Sequence, residues 1–155
     1  MKLIRYAIFD SGFFFCLMFA ATVLGVDVDV CVNNQLALEN TRLLRRYADI
    51  DPRVRPLLFI IKRWAKQRGC NDPKNSTITS YAWVLLALHY LQSACRPPVV
   101  PDLADPGSAT VAEAWSSSNS ASVGELLYGF FVYYGSGKWN GTCYLYLSDM
   151  ILVIL

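Results

Sequence analysis

The amino-acid sequence predicts an α+β fold that is mostly α-helical. Residues 26–33 alternate strictly between valines and other residues, and this period of two with β-branched side chains predicts a β-strand. Residues 54–65 carry apolar side chains at helical spacing, and residues 78–93 are apolar nearly all round, which predicts two α-helices. A chain of 155 residues is long enough to bury one hydrophobic core.

The predicted strand carries two carboxylates, and it leads directly into a helix. Asp27 and Asp29 alternate with the valines and therefore share one face of the strand. From Asn34 onward the apolar spacing becomes helical, with one side formed by Leu36, Leu43, Leu44 and Tyr47. The first turns of this helix carry Asn40 and Thr41. An acid at a strand end beside polar groups on the next helix is typical of sites that hold a metal ion and a nucleotide together.

Residues 1–24 differ from the rest of the chain, and three interpretations stay open for them. A basic start followed by an apolar run has the outline of a signal peptide. The same residues have enough strand character for a buried strand pair. A third interpretation is that residues 1–24 come from misread gene sequence that is joined to a fragment of a protein. The apolar run is about 16 residues long and falls short of the ~20 that span a bilayer.

The second helix has clear start and stop signals. Asp51 is a suitable N-cap, with Pro52 at the first helical position. The apolar stripe then runs to residue 65, and Gly69 is expected to end the helix. Lys62 and Lys66 stand four residues apart and so share one edge of the helix. Without further context, a lysine pair of this kind is more typical of a solvated face than of a binding site.

Basic residues concentrate in the middle of the chain. Residues 42–74 hold ten of the fourteen lysines and arginines against three acids, which gives this stretch a net charge of about +7. Such a patch suits phosphate groups, although a solvated helical face would look the same. The five cysteines are odd in number and form no C-x-x-C pair. This pattern favours a reducing compartment over a disulfide framework or a zinc site.

The third helix, at about 78–93, is expected to lie in the centre of the core. Ser80 and Tyr81 stand in its first turn, where backbone N–H groups and the helix dipole favour a phosphate. The alternative is a capping serine and a core tyrosine. His89, the only histidine, lies deep in this apolar helix and is predicted to be a hydrogen-bonded core residue with no catalytic role.

The remaining third of the chain divides into three parts. Residues 96–123 open with several prolines and close with a serine-rich run, which predicts a flexible loop or insert. Residues 124–134 return to an ordered aromatic segment, whose expected work is packing against the core helix; stacking on RNA bases is the less favoured alternative. Residues 140–155 form an apolar tail of the kind expected from truncation or aggregation.

Four segments of the chain, in order, resemble blocks of one enzyme family. They are D-V-C-V-N-N-Q-L-A-L-E-N-T at 29–41, I-D-P-R-V-R-P-L-L-F-I-I-K-R-W-A-K-Q-R at 50–68, T-S-Y-A-W-V-L-L-A-L-H-Y-L at 79–91 and G-E-L-L-Y-G-F-F-V-Y-Y at 124–134. They are similar to segments of the RNA nucleotidyltransferases that comprise terminal uridylyltransferases and their cytoplasmic poly(A) polymerase relatives. The resemblance extends over about three quarters of the chain, from Gly25 to Trp139.

The resemblance implies a fold and a reaction. The fold would be the end of a nucleotidyltransferase palm followed by a helical central domain, together spanning residues 25–95, with the start of a poly(A)-polymerase-associated module at 124–139. The reaction would be transfer of UMP or AMP from UTP or ATP to the 3′-hydroxyl of RNA, supported by Mg²⁺ or Mn²⁺. Uridine is the favoured base, because the segment around Asn40 looks closest to uridylyltransferases.

The resemblance also assigns roles to individual residues. Asp29 would be a catalytic and metal-binding carboxylate. The nucleotide-binding residues would be Ala37, Asn40, Thr41, Lys62, Lys66, Ser80 and Tyr81. Among these, the two lysines and Ser80 would contact phosphates, Tyr81 would stack on the base, and Asn40 and Thr41 would contact the sugar.

The sequence departs from the family pattern before Asp27. The family carries two further metal-binding acids upstream, after a Gly-Ser or Gly-Gly turn, and no such turn stands at the right distance here. One of three catalytic carboxylates is therefore expected, and we expect the chain alone to be inactive. The histidine on which base choice largely depends in the family would lie beyond this sequence, and His89 is not that residue.

Two other functions remain open from the sequence. One is a non-catalytic RNA- or nucleotide-binding remnant of the family, suggested by the basic helix beside missing acids. The other is a secreted or membrane-anchored protein led by residues 1–26. The expected location is the cytoplasm or nucleus, with no stable membrane association, and the sequence does not indicate an oligomeric state.

Overall fold

The chain forms two compact units, residues 1–42 and residues 43–155. The computed structural model describes residues 9–10, 15–21, 26–32, 34–72, 77–103, 114–136, 143–147 and 150–154. Among the described residues, none of the helices has the length and apolar character needed to span a membrane. The domain boundaries predicted from the sequence stay predictions.

The strand predicted at 26–33 is present in the first unit. Three strands, β1 (Phe9–Asp10), β2 (Phe15–Ala21) and β3 (Val26–Val32), form an antiparallel sheet in the order β1-β2-β3. Asp29 of β3 lies opposite Met18 of β2. Of the three interpretations of residues 1–24, the strand pair agrees with β1 and β2.

Four α-helices make up most of the regular secondary structure among the described residues. They are α1 (Gln35–Ile50), α2 (Val54–Gln67), α3 (Ser80–His89) and α4 (Val123–Gly135), with a π-helical turn at Tyr90–Ala94. Two more strands, β4 (Cys143–Leu147) and β5 (Met150–Ile154), pair as an antiparallel hairpin. Strands therefore occupy much of the stretch that the sequence indicated only as an apolar tail.

Helix α1 begins at a polar cap and becomes core-facing in its second half. The Asn34 Oδ1 atom accepts a hydrogen bond from the Ala37 N–H at 3.0 Å, which satisfies one free donor of the first turn. Leu43 and Tyr47 are buried, whereas Leu36 is 42% exposed. The predicted apolar stripe of α1 thus contributes to the core only from Leu43 onward, where the second unit begins.

Helix α2 begins later than the sequence predicted. Asp51 is not its N-cap: the Asp51 carboxylate accepts hydrogen bonds from the backbone N–H and the guanidinium of Arg53, and the helix starts at Val54. The Arg53 guanidinium also donates to the carbonyls of Asn119 and Ala121, both at 2.8 Å. The helix starts later than predicted because residues 52 and 53 form a turn, in which the Val54 N–H donates to the Asp51 carbonyl at 3.1 Å. Through Arg53, Asp51 also ties the start of α2 to the segment before α4.

The end of α2 confirms the prediction for Gly69. This residue has φ +69°, a conformation that glycine adopts without a Cβ penalty. The Gly69 N–H donates to the Lys66 carbonyl and the Cys70 N–H donates to the Ala65 carbonyl, which is the Schellman pattern. The apolar stripe is also confirmed, since Val54, Leu57, Ile61 and Ala65 are fully buried.

Helix α3 forms the centre of the core, as predicted, but it is shorter than predicted. Its N-cap is Thr79, whose Oγ1 accepts a hydrogen bond from the Ala82 N–H at 3.1 Å. After His89 the helix widens into the π-helical turn, in which the Cys95 N–H donates to the Tyr90 carbonyl. The buried residues of α3 are Ala82, Val84, Leu85, Leu86, Ala87 and Leu88.

The segment predicted as a loop or insert, 96–123, contributes to the core at its beginning. Val99 and Val100 are buried, and Leu103 is 3% exposed. The second described part of this segment is tied to the first by side chains, with Trp115 Nε1 donating to the Val99 carbonyl and Ser117 Oγ to the Pro98 carbonyl. Both described parts are irregular, yet they are held by specific contacts.

Candidate functional site

Helices α2 and α3 pack against each other, and their contacts include the last turns of α2 and the first turn of α3. The rings of Trp64 and Trp83 pack edge to face with centroids 5.7 Å apart, and Trp64 also packs on Phe131 of α4 at 4.5 Å. Trp83 Nε1 donates to the Cys70 carbonyl at 3.0 Å. These contacts place the last turn of α2 and the first turn of α3 at the same end of the pair.

Lys62 and Lys66 lie on the exposed side of α2, as the sequence predicted. Both are exposed, whereas Ile61 and Ala65, the residues just before each lysine, are buried in the core. In the part of the chain that the structure describes, no ion pair involves either lysine. Two ammonium groups one helical turn apart can therefore bind an anionic ligand.

Ser80 is the first residue of α3, and its hydroxyl is held by a neighbour that the sequence reasoning missed. Asn71 Nδ2 donates to Ser80 Oγ at 2.6 Å. Because the oxygen accepts this bond, the hydroxyl hydrogen is left to donate to a ligand such as a phosphate. Thr79, and not Ser80, caps the helix, so the capping-serine alternative is wrong. The sequence offers no signal for Asn71, which lies in an irregular polar loop.

Tyr81 is partly buried and packs against the core. Burial raises the pKa of its hydroxyl above the usual value, which keeps the side chain neutral. Its position in the first turn of α3 agrees with both alternatives drawn from the sequence, a base-stacking ring and a core tyrosine. Its role in binding stays a prediction.

The other predicted site residues lie in the first unit. Asp29 stands in β3, and its side chain lies outside the described part of the chain. Thr41 is exposed and its hydroxyl donates to the Ala37 carbonyl at 2.7 Å, so its oxygen can only accept from a ligand. Asn40 is partly buried and Ala37 is exposed on the same helix. Lys62, Lys66 and Ser80 belong to the second unit, where Asn71, five residues after Lys66, contacts Ser80. Asp29, Ala37, Asn40 and Thr41 belong to the first unit.

His89 is a hydrogen-bonded, partly buried residue, as predicted. Its Nδ1 lies 3.1 Å from the Tyr134 hydroxyl, which in turn donates to the Leu86 carbonyl at 2.9 Å. With the tyrosine hydrogen used in this way, Nδ1 carries the histidine proton and donates to the tyrosine oxygen. Burial lowers the pKa of His89, so the ring is neutral at physiological pH. The residue joins α3 to α4.

The described residues do not assemble a metal centre. No group of three or more histidine, cysteine, aspartate or glutamate side chains among them is placed to hold a metal ion. The metal that the resemblance implies would need carboxylates beyond those described. Asp29 is the one acid in this sequence that the family pattern assigns to such a site.

Known proteins resemble the chain in sequence. It is 40% identical over 127 residues to poly(A) RNA polymerase gld-2 homolog B of Drosophila melanogaster, an alignment that covers 72% of this chain and 9% of that protein. It is 37% identical over 120 residues to terminal uridylyltransferase cid1 of Schizosaccharomyces pombe, covering 68% of this chain and 30% of that protein. No protein-family model matches the chain.

Solved structures resemble it in fold. A crystal structure of the Cid1 poly(U) polymerase superposes with a TM-score of 0.81 at 28% identity over 97% of this chain and 52% of the other. The chain is homologous to a part of these RNA nucleotidyltransferases. The family resemblance of the four sequence segments and the mostly helical α+β fold are thus confirmed. The chain spans about half the length of the matched structure and less than a third of the two matched sequences.

Proposed function

We propose that the chain is the nucleotide-binding part of an RNA 3′-terminal nucleotidyltransferase. Two observations carry the proposal. Lys62 and Lys66 are exposed on α2 and form no ion pair with any described residue, and Asn71, which follows α2, orients the Ser80 hydroxyl. Its relatives are poly(A) RNA polymerases and a terminal uridylyltransferase. The reaction would transfer UMP or AMP from UTP or ATP to the 3′-hydroxyl of RNA.

The triphosphate would be held by groups of the second unit. Lys62 and Lys66 offer ammonium groups as point charges, which suit phosphate oxygens in several geometries. Ser80 adds a directed hydrogen bond, because Asn71 occupies its acceptor side. The N-terminal end of α3 contributes a further positive potential through the helix dipole. Together these groups would hold the phosphates and offset negative charge as it moves to the leaving pyrophosphate.

The nucleoside would be held by neutral groups. Tyr81 offers a neutral aromatic ring in the first turn of α3 for stacking on the base. Thr41 offers an acceptor oxygen for a sugar hydroxyl. Asn40 and the backbone around Ala37 are the other proposed contacts of the first unit. These assignments follow from the family resemblance.

Asp29 would hold the metal ion, Mg²⁺ or Mn²⁺, in the complete protein. A divalent ion in such an enzyme supplies Lewis-acid charge at the phosphates. The sequence pattern assigns one of three metal-binding acids to this chain, so we expect the 155-residue chain to bind nucleotide without transferring it. Incorporation of nucleotide into an RNA primer by this chain alone, abolished by Asp29→Ala, would contradict that expectation.

The RNA and nucleotide partners are supported by the matched enzyme. Structures of Cid1 hold its short product ApU and the UTP analogue UMPNPP. For this chain we propose the RNA 3′ end with UTP or ATP, and uridine stays the favoured base. A cytoplasmic location is proposed by analogy with a neighbour described as a cytoplasmic RNA terminal U-transferase.

Calorimetric titration of UTP and ATP into the protein tests the proposal. We expect the double variant Lys62→Ala, Lys66→Ala to weaken binding roughly 10-fold or more, since two charge-assisted contacts are lost. Arg68→Ala is the matched control, because this exposed cation follows α2 and has no assigned role. Equal binding by the double variant and the control variant would overturn the proposal.

The alternative function is a non-catalytic RNA- or nucleotide-binding remnant. It is motivated by the two exposed lysines of α2, which could bind RNA or nucleotide phosphates without a metal site. An assay of RNA primer extension by the complete native protein with magnesium distinguishes the two functions. Extension that depends on Asp29 supports the enzyme; binding of nucleotide and RNA without extension supports the remnant.

A further inference from the structure

One aromatic side chain of α2 takes part neither in the core nor in the proposed triphosphate site. Phe59 is 68% exposed, whereas its neighbour Leu57 is completely buried. Phenylalanine carries no polar group that favours water, and it is among the residue types most often buried. A ring held this far into solvent on a well-formed helix is available to a ligand.

Two arginines flank this ring along the helix. Arg55 precedes Phe59 by four residues and Arg63 follows it by four, so the three side chains share one face of α2. We name this face the arginine–phenylalanine strip (Arg55, Phe59 and Arg63). The two arginine Cα atoms stand about 12 Å apart along the helix axis, with the ring midway between them.

The strip has a net positive charge even when the neighbouring carboxylate of Asp49 is included. Arg55 contacts the Asp49 carboxylate through its Nη2 atom, and Arg45 lies 3.7 Å from the same carboxylate. Two arginines against one aspartate leave this cluster with a net positive charge. Arg63 is exposed and takes part in no ion pair among the described residues.

We propose that the arginine–phenylalanine strip binds single-stranded RNA, with Phe59 stacked on one base and Arg55 and Arg63 on phosphates to either side. Exposed aromatic rings between cations are the elements that bind single strands without base preference. Besides the exposed Pro56 and Ile60, the neighbours of Phe59 on its own face are Arg55, Lys62 and Arg63, and this many cations suit a polyanion better than an apolar protein partner. The inference rests on the proposed function, which supplies the RNA strand, and it uses residues distinct from Lys62 and Lys66.

Fluorescence anisotropy with two labelled strands of equal length, oligoadenylate and an abasic strand, tests the strip. Phe59→Ala is expected to weaken oligoadenylate binding roughly 5- to 150-fold, the effect of losing one stacked base, and to leave abasic-strand binding unchanged. Tyr128→Ala is the matched control: Tyr128 is 74% exposed on α4 but has no arginine four residues away on either side. Phe59→Trp should retain binding.

Salt titration distinguishes the contribution of the two arginines to RNA binding from the contribution of the Phe59 ring. Arg55→Ala and Arg63→Ala should weaken both strands alike, each lowering the slope of log K against log salt by about 0.7. Oligoadenylate binding by Phe59→Ala that equals wild type overturns the inference. So does a lower Tm of Phe59→Ala with unchanged RNA binding, because the ring would then pack against protein. In either case, UTP binding that still depends on Lys62 and Lys66 leaves the proposed function standing.

Discussion

Tyr47 joins α1 to the irregular segment that follows the π-helical turn through a single buried hydroxyl. Its oxygen accepts hydrogen bonds from Gln92 Nε2 at 2.7 Å and from the Leu103 N–H at 2.9 Å. Burial raises the pKa of Tyr47 to about 12. One side chain thus fixes three parts of the core that are distant in the sequence.

Removing that hydroxyl should cost stability without changing packing. We expect Tyr47→Phe to lower the free energy of unfolding by about 1–3 kcal/mol, because one buried and one partly buried hydrogen bond lose their acceptor. Urea denaturation measures the change. Tyr128→Phe, at a side chain 74% exposed, serves as control and should stay within about 0.5 kcal/mol of wild type. A Tyr47→Phe variant as stable as this control would show that the hydroxyl is dispensable.

Asn71 is predicted to act on nucleotide binding only through Ser80. If its amide orients the serine hydroxyl, then Asn71→Ala, Ser80→Ala and the double variant should each weaken UTP binding by a similar factor, roughly 3- to 10-fold. Calorimetric titration of the three variants gives the coupling. Additive losses would mean that Asn71 contacts the nucleotide independently of Ser80. Wild-type affinity in Ser80→Ala would remove both residues from the site.

At the scale of elements, the ion pair at the start of α2 holds together segments that are far apart in sequence. Asp51 is 7% exposed, and Arg53 reaches from it to the carbonyls of Asn119 and Ala121. Hydrogen bonds from Arg53 are the main cause that lowers the pKa of the Asp51 carboxyl below its usual value. The charged form of Asp51 therefore stabilises the folded state.

Asp51→Asn should remove this stabilisation and its pH dependence. We expect a loss of about 3 kcal/mol at neutral pH, because the arginine keeps its position and loses its charged partner. A carboxyl whose pKa is lower when folded stabilises above its unfolded pKa of about 3.9, and this contribution is lost as the pH falls. Denaturation at neutral and acidic pH should thus show a gap from wild type that closes in acid. Asp49→Asn is the control, because Asp49 belongs to an exposed ion pair. It should lower the free energy of unfolding by about 1 kcal/mol at most. A gap that stays constant down to low pH would contradict the role of the Asp51 charge.

The end of α2 depends on the backbone of one glycine. Gly69 has φ +69° and open space around a built Cβ, so the cost of Gly69→Ala is one of backbone conformation alone, about 1–2 kcal/mol. Gly135 has the same open space without a positive φ, and Gly135→Ala is the control that should not destabilise. Thermal denaturation compares the two. Equal Tm values would mean that the end of α2 does not need the left-handed conformation.

At the scale of the whole molecule, local signals in the sequence predicted most of the fold. Patterns among neighbouring residues were enough to predict three features: the strand around Asp29, the buried face of α2 and the end of α2 at Gly69. The contacts that the sequence did not reveal are long-range: Arg53 with Asn119, Tyr47 with Leu103, and Asn71 with Ser80 across a loop. Each depends on how elements pack, and a periodic pattern carries no information about that.

The candidate site shows the same division. Lys62 and Lys66 were predicted to share an edge of α2, and the spacing alone was enough for that. The support of Ser80 by Asn71 and the exposure of Phe59 follow only from the folded chain. The whole protein's activity remains a proposal, because the chain spans about half of its matched structure.

The most direct test of the triphosphate site is the affinity of the protein for a uridine series with zero, one, two and three phosphates. Our account predicts that affinity rises with each phosphate, because Lys62, Lys66 and Ser80 contact only the phosphates. The rise should disappear in the double variant Lys62→Ala, Lys66→Ala and persist in Arg68→Ala. An affinity that does not depend on phosphate number in the wild-type protein would contradict the account.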